Sequence, residues 1–303
     1  MKLFVLAAVM LCSLTAATTQ NEPLILMTTR EEGPPEPRLE AIALIDHGQF
    51  KAPGGLKNRE AASFVTKYLP NGRKFFVVFG GGAAGTINLT ESGLGCNDLI
   101  YAIGPFSPGS LGVSRIHGQV KGLATNSDMI ARSEIWRRAP AAAERAAAVD
   151  LAKAIFAGKG LTPAQLAKLE TVNLTAIDVD GDNRAELVGT FKVPSDANRT
   201  PRYVFLIAEG EGGSYQTVFS SYRYLPKSDI YNSGEETLID YLDLDRDGTA
   251  EIVTGYTGVR DQGYHIYRRV NGRPGTNGAG DVNSSWKIVY ENATELCISE
   301  GGD

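Results

Sequence analysis

The chain predicts a mainly β protein with a short helical connector: an N-terminal β-rich region followed by two four-stranded units of the same design. Three observations predict it. Two acidic nine-residue loops, 65 residues apart, each run straight into a strand. Short β-branched and aromatic runs separated by Gly, Pro, Asn and Asp fill most of the remaining chain. A single alanine-rich stretch between them carries helical periodicity.

The chain has 303 residues, enough for one large or two medium domains with a well-buried core. Residues 1–17 read as an export signal: Lys2 forms the n-region, Leu3 to Leu14 the apolar stretch, and Ala16 and Ala17 a small-residue cleavage site. That apolar stretch is too short to span a bilayer, and no later run is long and apolar enough, so a transmembrane protein is not expected. The expected location is secreted or periplasmic. Removing the signal takes away Lys2 and leaves 29 basic and 35 acidic residues. No Lys/Arg cluster forms a basic stripe, which argues against nucleic acid as a partner.

Cleavage leaves Cys96 and Cys297. Two cysteines in an exported chain make a disulfide plausible; two separate buried thiols are the alternative. If joined they close a loop of about 200 residues, worth on the order of 5 kcal/mol in the chain-entropy model. Five Asn-x-Ser/Thr sequons, at Asn88, Asn173, Asn198, Asn283 and Asn292, are weak indicators of surface position.

Residues 18–38 contain a polar, proline-rich segment and read as a disordered or extended lead-in. Residues 39–135 are the β-rich N-terminal region, with strands expected at 41–45, 74–79 and 99–103 and a short helix at 59–69. Gly80, Gly82 and Gly85 match a GxGxxG pattern, but a strand-like stretch follows where the dinucleotide motif needs a helix. They read as a turn between strands. Residues 136–171 form the helical connector. Pro140 opens a run of good helix formers with Val149, Leu151, Ala154 and Ile155 as its apolar face; Gly158 and Gly160 stop it. Thr162, Pro163 and Gln165 then match a capping box, with Leu161 placed to staple onto Leu166.

Residues 172–303 hold the two repeats. Strands are expected at 172–179, 186–193, 202–209 and 215–224, then at 237–244, 251–258, 263–270 and 285–290. A four-stranded meander per repeat is the unit of a propeller blade, and self-similarity at a fixed period marks a repeat architecture. The first loop carries Asp178, Asp180, Asp182 and Glu186, the second Asp243, Asp245, Asp247 and Glu251. Four carboxylates in nine residues repel one another unless a hard cation gathers them, and oxygen ligands at this spacing suit Ca²⁺. Backbone carbonyls of Arg184 and Thr249 would add a ligand each from position 7. An EF-hand is excluded: its twelfth position holds Gly189 or Thr254, and strands rather than helices flank the loop. The expected affinity is in the weak extracellular range, roughly 10⁻⁴–10⁻³ M.

On these loops, residues 172–292 resemble FG-GAP/VCBS-type repeats. The second loop is a close match; the first has Asn183 where the pattern has Gly at position 6, and Asn tolerates a left-handed backbone. The resemblance implies two structural Ca²⁺ ions, propeller-like blades forming a partial propeller, and an adhesion or ligand-binding role. It implies no catalytic residue.

Catalytic constellations are thin. His47, His117 and His265 are the only histidines, and none is spaced for a zinc helix. Ser107, Ser110 and Ser114 near His117 do not by themselves make a triad. Glu235, Glu236 and Asp240 read as solvated acids on a surface turn rather than a glycosidase pair. Trp136, Trp286 and Tyr222, Tyr224, Tyr231, Tyr241, Tyr256, Tyr264, Tyr267 and Tyr290 read as sheet-face packing, with a sugar or peptide platform as the alternative. The expected function is an exported calcium-binding repeat protein that binds a glycan, peptide or protein without catalysis. A secreted hydrolase with an N-terminal active site, or an envelope assembly protein, are the alternatives.

Overall fold

A computed structural model describes residues 22–30, 36–53, 58–95, 98–109, 121–132, 137–194, 201–211, 213–223, 235–257, 261–270 and 285–295. The expected signal, Cys96 and Cys297, Ser110, Ser114, His117, Trp136, Tyr224, Tyr231, Asn198 and Asn283 lie outside these residues. The described chain is mainly β, in three sheets.

The first sheet is a curled half-barrel. It is built from β1 (Leu24–Arg30), β2 (Arg38–Asp46), β3 (Gln49–Lys51), β4 (Lys74–Phe79), β5 (Gly82–Asn88), β6 (Glu91–Leu94), β7 (Ile100–Ile103), β8 (Phe106–Pro108) and β9 (Leu123–Thr125). Its order is β6-β7-β2-β1-β9-β4-β5-β8, with β3 hairpinned onto β2. The lead-in expected to be disordered or extended over 18–38 therefore contains a strand in mid-sheet. Ile25, Leu26 and Met27 are buried, and β1 pairs with β2 on one side and β9 on the other. That much buried apolar surface outweighs the polar, proline-rich neighbours that follow it.

One face of this sheet is covered by helix α1 (Asn58–Tyr68), which buries Ala61 and Phe64 among Ile25, Met27, Phe75 and Ile87. Gly80 and Gly81 join β4 to β5 with φ of 63° and 79°. Two successive left-handed residues make the primed turn whose twist matches a hairpin, so the turn expected of the glycine run is Gly80 and Gly81, while Gly82 and Gly85 belong to β5.

The second sheet holds β10 (Arg137–Arg138), β11 (Glu170–Ile177), β12 (Glu186–Val193), β13 (Arg202–Glu211) and β14 (Ser214–Arg223), in sequence order. The third holds β15 (Glu235–Leu242), β16 (Glu251–Thr257), β17 (Asp261–Arg269) and β18 (Trp286–Glu295), likewise in order. All their pairings are antiparallel. Both sheets carry a bulge at the same place, between Ile207 and Ala208 and between Ile266 and Tyr267.

Between β10 and β11 of the second sheet stand α2 (Ala142–Gly158) and α3 (Pro163–Leu166). Glu144 caps α2 by accepting the Ala141 N–H (2.7 Å) while holding Arg138 in a two-pronged pair (2.6 and 2.7 Å). The stripe α2 buries is Ala148, Ala152 and Phe156; the expected face member Ala154 points to solvent. An i, i+4, i+8 row lies on one line of a helix, and the small alanines let the axis approach the sheet. Gly160 (φ 82°) closes the helix, with its N–H on Ala157 and that of Leu161 on Phe156. Thr162 and Gln165 form the predicted capping box.

The layers follow from the core contacts. α1 covers one face of the half-barrel. The other face packs on the third sheet through Leu26, Ile42 and Val78 against Leu242, Val253 and Ile266. The third sheet's far face meets the second sheet through Tyr241, Ile252, Tyr267 and Trp286 against Ile177, Val188 and Phe205. α2 closes the second sheet's outer face. The described tyrosines serve these interfaces: Tyr241 and Tyr267 are fully buried, Tyr264 packs on the half-barrel, and Tyr290 donates to the Ile42 carbonyl (2.9 Å).

Candidate metal centres

The turns between β11 and β12 and between β15 and β16 are the two acidic loops. Each puts left-handed backbone at its fourth and sixth positions: Gly181 (φ 74°) and Asn183 (φ 65°), then Arg246 (φ 64°) and Gly248 (φ 91°). Asn183 thus takes the conformation expected of the residue standing in for glycine. With the backbone folded this way, the side chains make the same bonds in both loops. Asp182 N donates to Asp178 Oδ1 (3.1 Å) and Asp180 Oδ1 (3.3 Å); Asp247 N donates to Asp243 Oδ1 (3.1 Å) and Asp245 Oδ1 (3.3 Å). Asn183 N and Gly248 N donate to Asp178 Oδ2 (2.9 Å) and Asp243 Oδ2 (3.0 Å). Arg184 N and Thr249 N donate to Asp182 Oδ1 (2.7 Å) and Asp247 Oδ1 (2.8 Å). Glu186 and Glu251 turn back to accept Val179 N (3.0 Å) and Leu244 N (2.8 Å).

Ligand-type oxygens of Asp178, Asp180 and Glu186 lie within 4.8 Å of one another, as do those of Asp243, Asp245 and Asp247. Asp182 falls outside the first group and Glu251 outside the second. The donor sets are all carboxylate oxygen, the chemistry of a hard cation, so these residues fit Ca²⁺. The glutamates are the buried members, at 3 % and 1 % exposure. Burial pushes each of their carboxyls up to about 7, and burial also raises Asp243. A cation at the loop would reverse that cost.

Three residues that the motif does not contain complete the loops. Arg268 pairs with Asp245 (2.8 Å) and Glu251 (2.6 Å). Arg269 pairs with Asp180 and with Glu209 (3.2 Å). Neighbours on one strand point to opposite faces, so Arg268 serves its own sheet's loop and Arg269 reaches the other. Their signal in the sequence is only a doubled arginine ending a strand. Ala250 N also donates to Val179 O (2.8 Å), joining the loops directly.

Of the three acids expected on a surface turn, Glu235 is half-buried and Glu236 and Asp240 are interior. Glu236 and Asp240 lie in β15, whose register shifts between Leu238 and Asp240 and so turns both inward at different interfaces. Glu236 Oε1 accepts from Thr254 (2.7 Å), His265 (2.8 Å) and Tyr267 (2.6 Å); its Oε2 stands 3.1 Å from Arg223, without hydrogen-bond alignment. Asp240 reaches across to the half-barrel and accepts the N–H groups of Gly80 (2.7 Å) and Gly81 (3.2 Å). Tyr241 donates to the Gly80 carbonyl (2.9 Å). The sequon residue Asn173 is half-buried, and Asn292 donates to the Ile42 carbonyl (3.0 Å), so neither is a free surface amide.

Comparison of the chain with protein-family models, with curated proteins and with solved structures finds no match. Among the described residues no helix is long and apolar enough to cross a membrane.

Proposed function

We propose that this is an exported calcium-binding repeat protein of FG-GAP/VCBS-like type, with one Ca²⁺ in each acidic loop and a non-catalytic role in binding a glycan, peptide or protein. The observation that carries the reading is the likeness of the two loops: five equivalent hydrogen bonds fold both, and each gathers three carboxylates, two of them at the first and third positions of both loops. One guanidinium per loop leaves net negative charge on the gathered carboxylates, which a divalent cation would neutralise. The metal's work is then structural: it neutralises the carboxylates and pins the turn that joins two strands of each propeller-like blade. Among the described residues, Glu236, Asp240 and Tyr267 are buried and committed to contacts within the third sheet or between it and the half-barrel, which favours binding over catalysis.

Thermal unfolding of chelator-treated protein during a Ca²⁺ titration tests this. A rise in melting temperature at millimolar Ca²⁺, halved by alanine at Asp243 and Asp245, is expected. No rise in the unaltered chain would end the calcium reading.

A further inference from the structure

We infer that Arg269 is a tethered cation that gates the first acidic loop, placing that loop under the control of the neighbouring sheet. The inference rests on the calcium reading above and adds a regulation to it.

Register between the strands shows an asymmetry. Leu187 faces Ala208 across β12 and β13, and Ile252 faces Tyr267 across β16 and β17. The next residue is Glu209 in one sheet and Arg268 in the other. The third sheet therefore supplies its own loop with an arginine, while the second sheet holds an acid at the equivalent place. The deficit is met from outside. Arg269, one residue past Arg268 and on the opposite face of β17, pairs with both Asp180 and Glu209. Glu209 is itself held by Trp286 Nε1 (2.9 Å) and Ser285 Oγ (3.2 Å).

Asp180 is one of the three carboxylates grouped for a cation in the first loop. A metal entering there competes with the Arg269 guanidinium for the same group. Arg269 already touches Glu209 through Nε (3.2 Å), so it has a second anion to rest on when it releases Asp180. Ala250 N also holds Val179 O at 2.8 Å, a second tie between the first loop and the third sheet. In the second loop the competing Arg268 comes from the loop's own sheet; in the first it comes from the adjacent one. Separation or rotation of the two sheets would thus change ion binding in the first loop alone.

The test uses the full chain after chelator treatment. Tb³⁺ serves as the probe, because Trp286 lies beside Glu209 and Arg269 and can sensitise an ion in the first loop; the W286F protein identifies that signal. Calorimetric Ca²⁺ titration gives the affinities. Arg269→Gln is expected to tighten the first loop about tenfold, since it removes a positive charge a few ångströms from the ion, and to leave the second loop unchanged. Glu209→Gln takes away the resting place of Arg269, strengthens its hold on Asp180 and is expected to weaken the first loop; this arm remains if Arg269→Gln does not fold. Ion binding that is unchanged or weaker in Arg269→Gln, or unchanged in Glu209→Gln, overturns the gate while leaving the calcium reading intact. No binding of either ion in any protein at millimolar concentration overturns both.

Discussion

Replacing Glu251 by glutamine should have opposite effects with and without calcium. Without the ion, Glu251 is a buried carboxylate raised from 4.5 to about 7 by desolvation, despite accepting Leu244 N (2.8 Å) and Arg268 Nε (2.6 Å). At pH 8 keeping it ionised costs about 3 kcal/mol. Glutamine removes that cost and can still accept the Leu244 N–H. It weakens one charge-assisted contact with Arg268, about 1–2 kcal/mol, while Arg268 keeps Asp245 at 2.8 Å. The variant should therefore be about 1–2 kcal/mol more stable than the unaltered chain in chelator at pH 8. With calcium at about 100 times Kd, each occupied loop adds about 2.7 kcal/mol. The variant removes the ninth-position carboxylate that the repeat pattern assigns to the second ion, and with it much of that gain, so in calcium it becomes the less stable protein. Urea denaturation at pH 8, in chelator and in calcium, reads both signs. A variant destabilised equally in the two conditions would refute the reasoning.

Three further outcomes are expected. Both Glu186 and Glu251 have carboxyls raised to about 7, so in the ion-free protein their stability contribution is full below about 4.5 and lost as pH rises through about 7; because Ca²⁺ needs them ionised, the calcium-induced rise in melting temperature should grow between pH 5.5 and pH 8. Asp240→Ala leaves the Gly80 and Gly81 N–H groups unpaired at the contact between half-barrel and third sheet and should cost about 2–4 kcal/mol by urea denaturation. Glu144→Ala removes both the α2 cap and the Arg138 pair and should cost about 1–2 kcal/mol at pH 7; Glu144 is lowered to about 2 chiefly by Arg138, so its contribution is present above about 4.5 and the difference should vanish as pH falls toward 2.

Much of the second and third sheets was legible residue by residue. β12 was expected at 186–193 and lies there, and the remaining strands from β11 to β18 begin within two residues of expectation. Alternation and an acidic turn are local signals, and local signals suffice where each strand pairs with the next. The half-barrel was less legible because its order is not sequential. β1 pairs along its length with β2, but it lies in mid-sheet because β9, almost 100 residues later, takes its other edge, and nothing within Leu24–Arg30 names that partner. Glu236 and Asp240 resembled solvated acids because the bulge that turns them inward is a property of pairing, not of composition. The carboxylates of the candidate centres were legible from spacing alone. Arg268, Arg269 and Glu209 were not, since their places depend on how β17 crosses two loops at once.

The most direct measurement is calorimetric titration of Ca²⁺ into the chelator-treated chain. Two ions per chain are predicted, falling to one when Asp243 and Asp245 are both alanine and to one when Asp178 and Asp180 are. Absence of heat at millimolar Ca²⁺, or a stoichiometry that ignores those substitutions, would contradict the account.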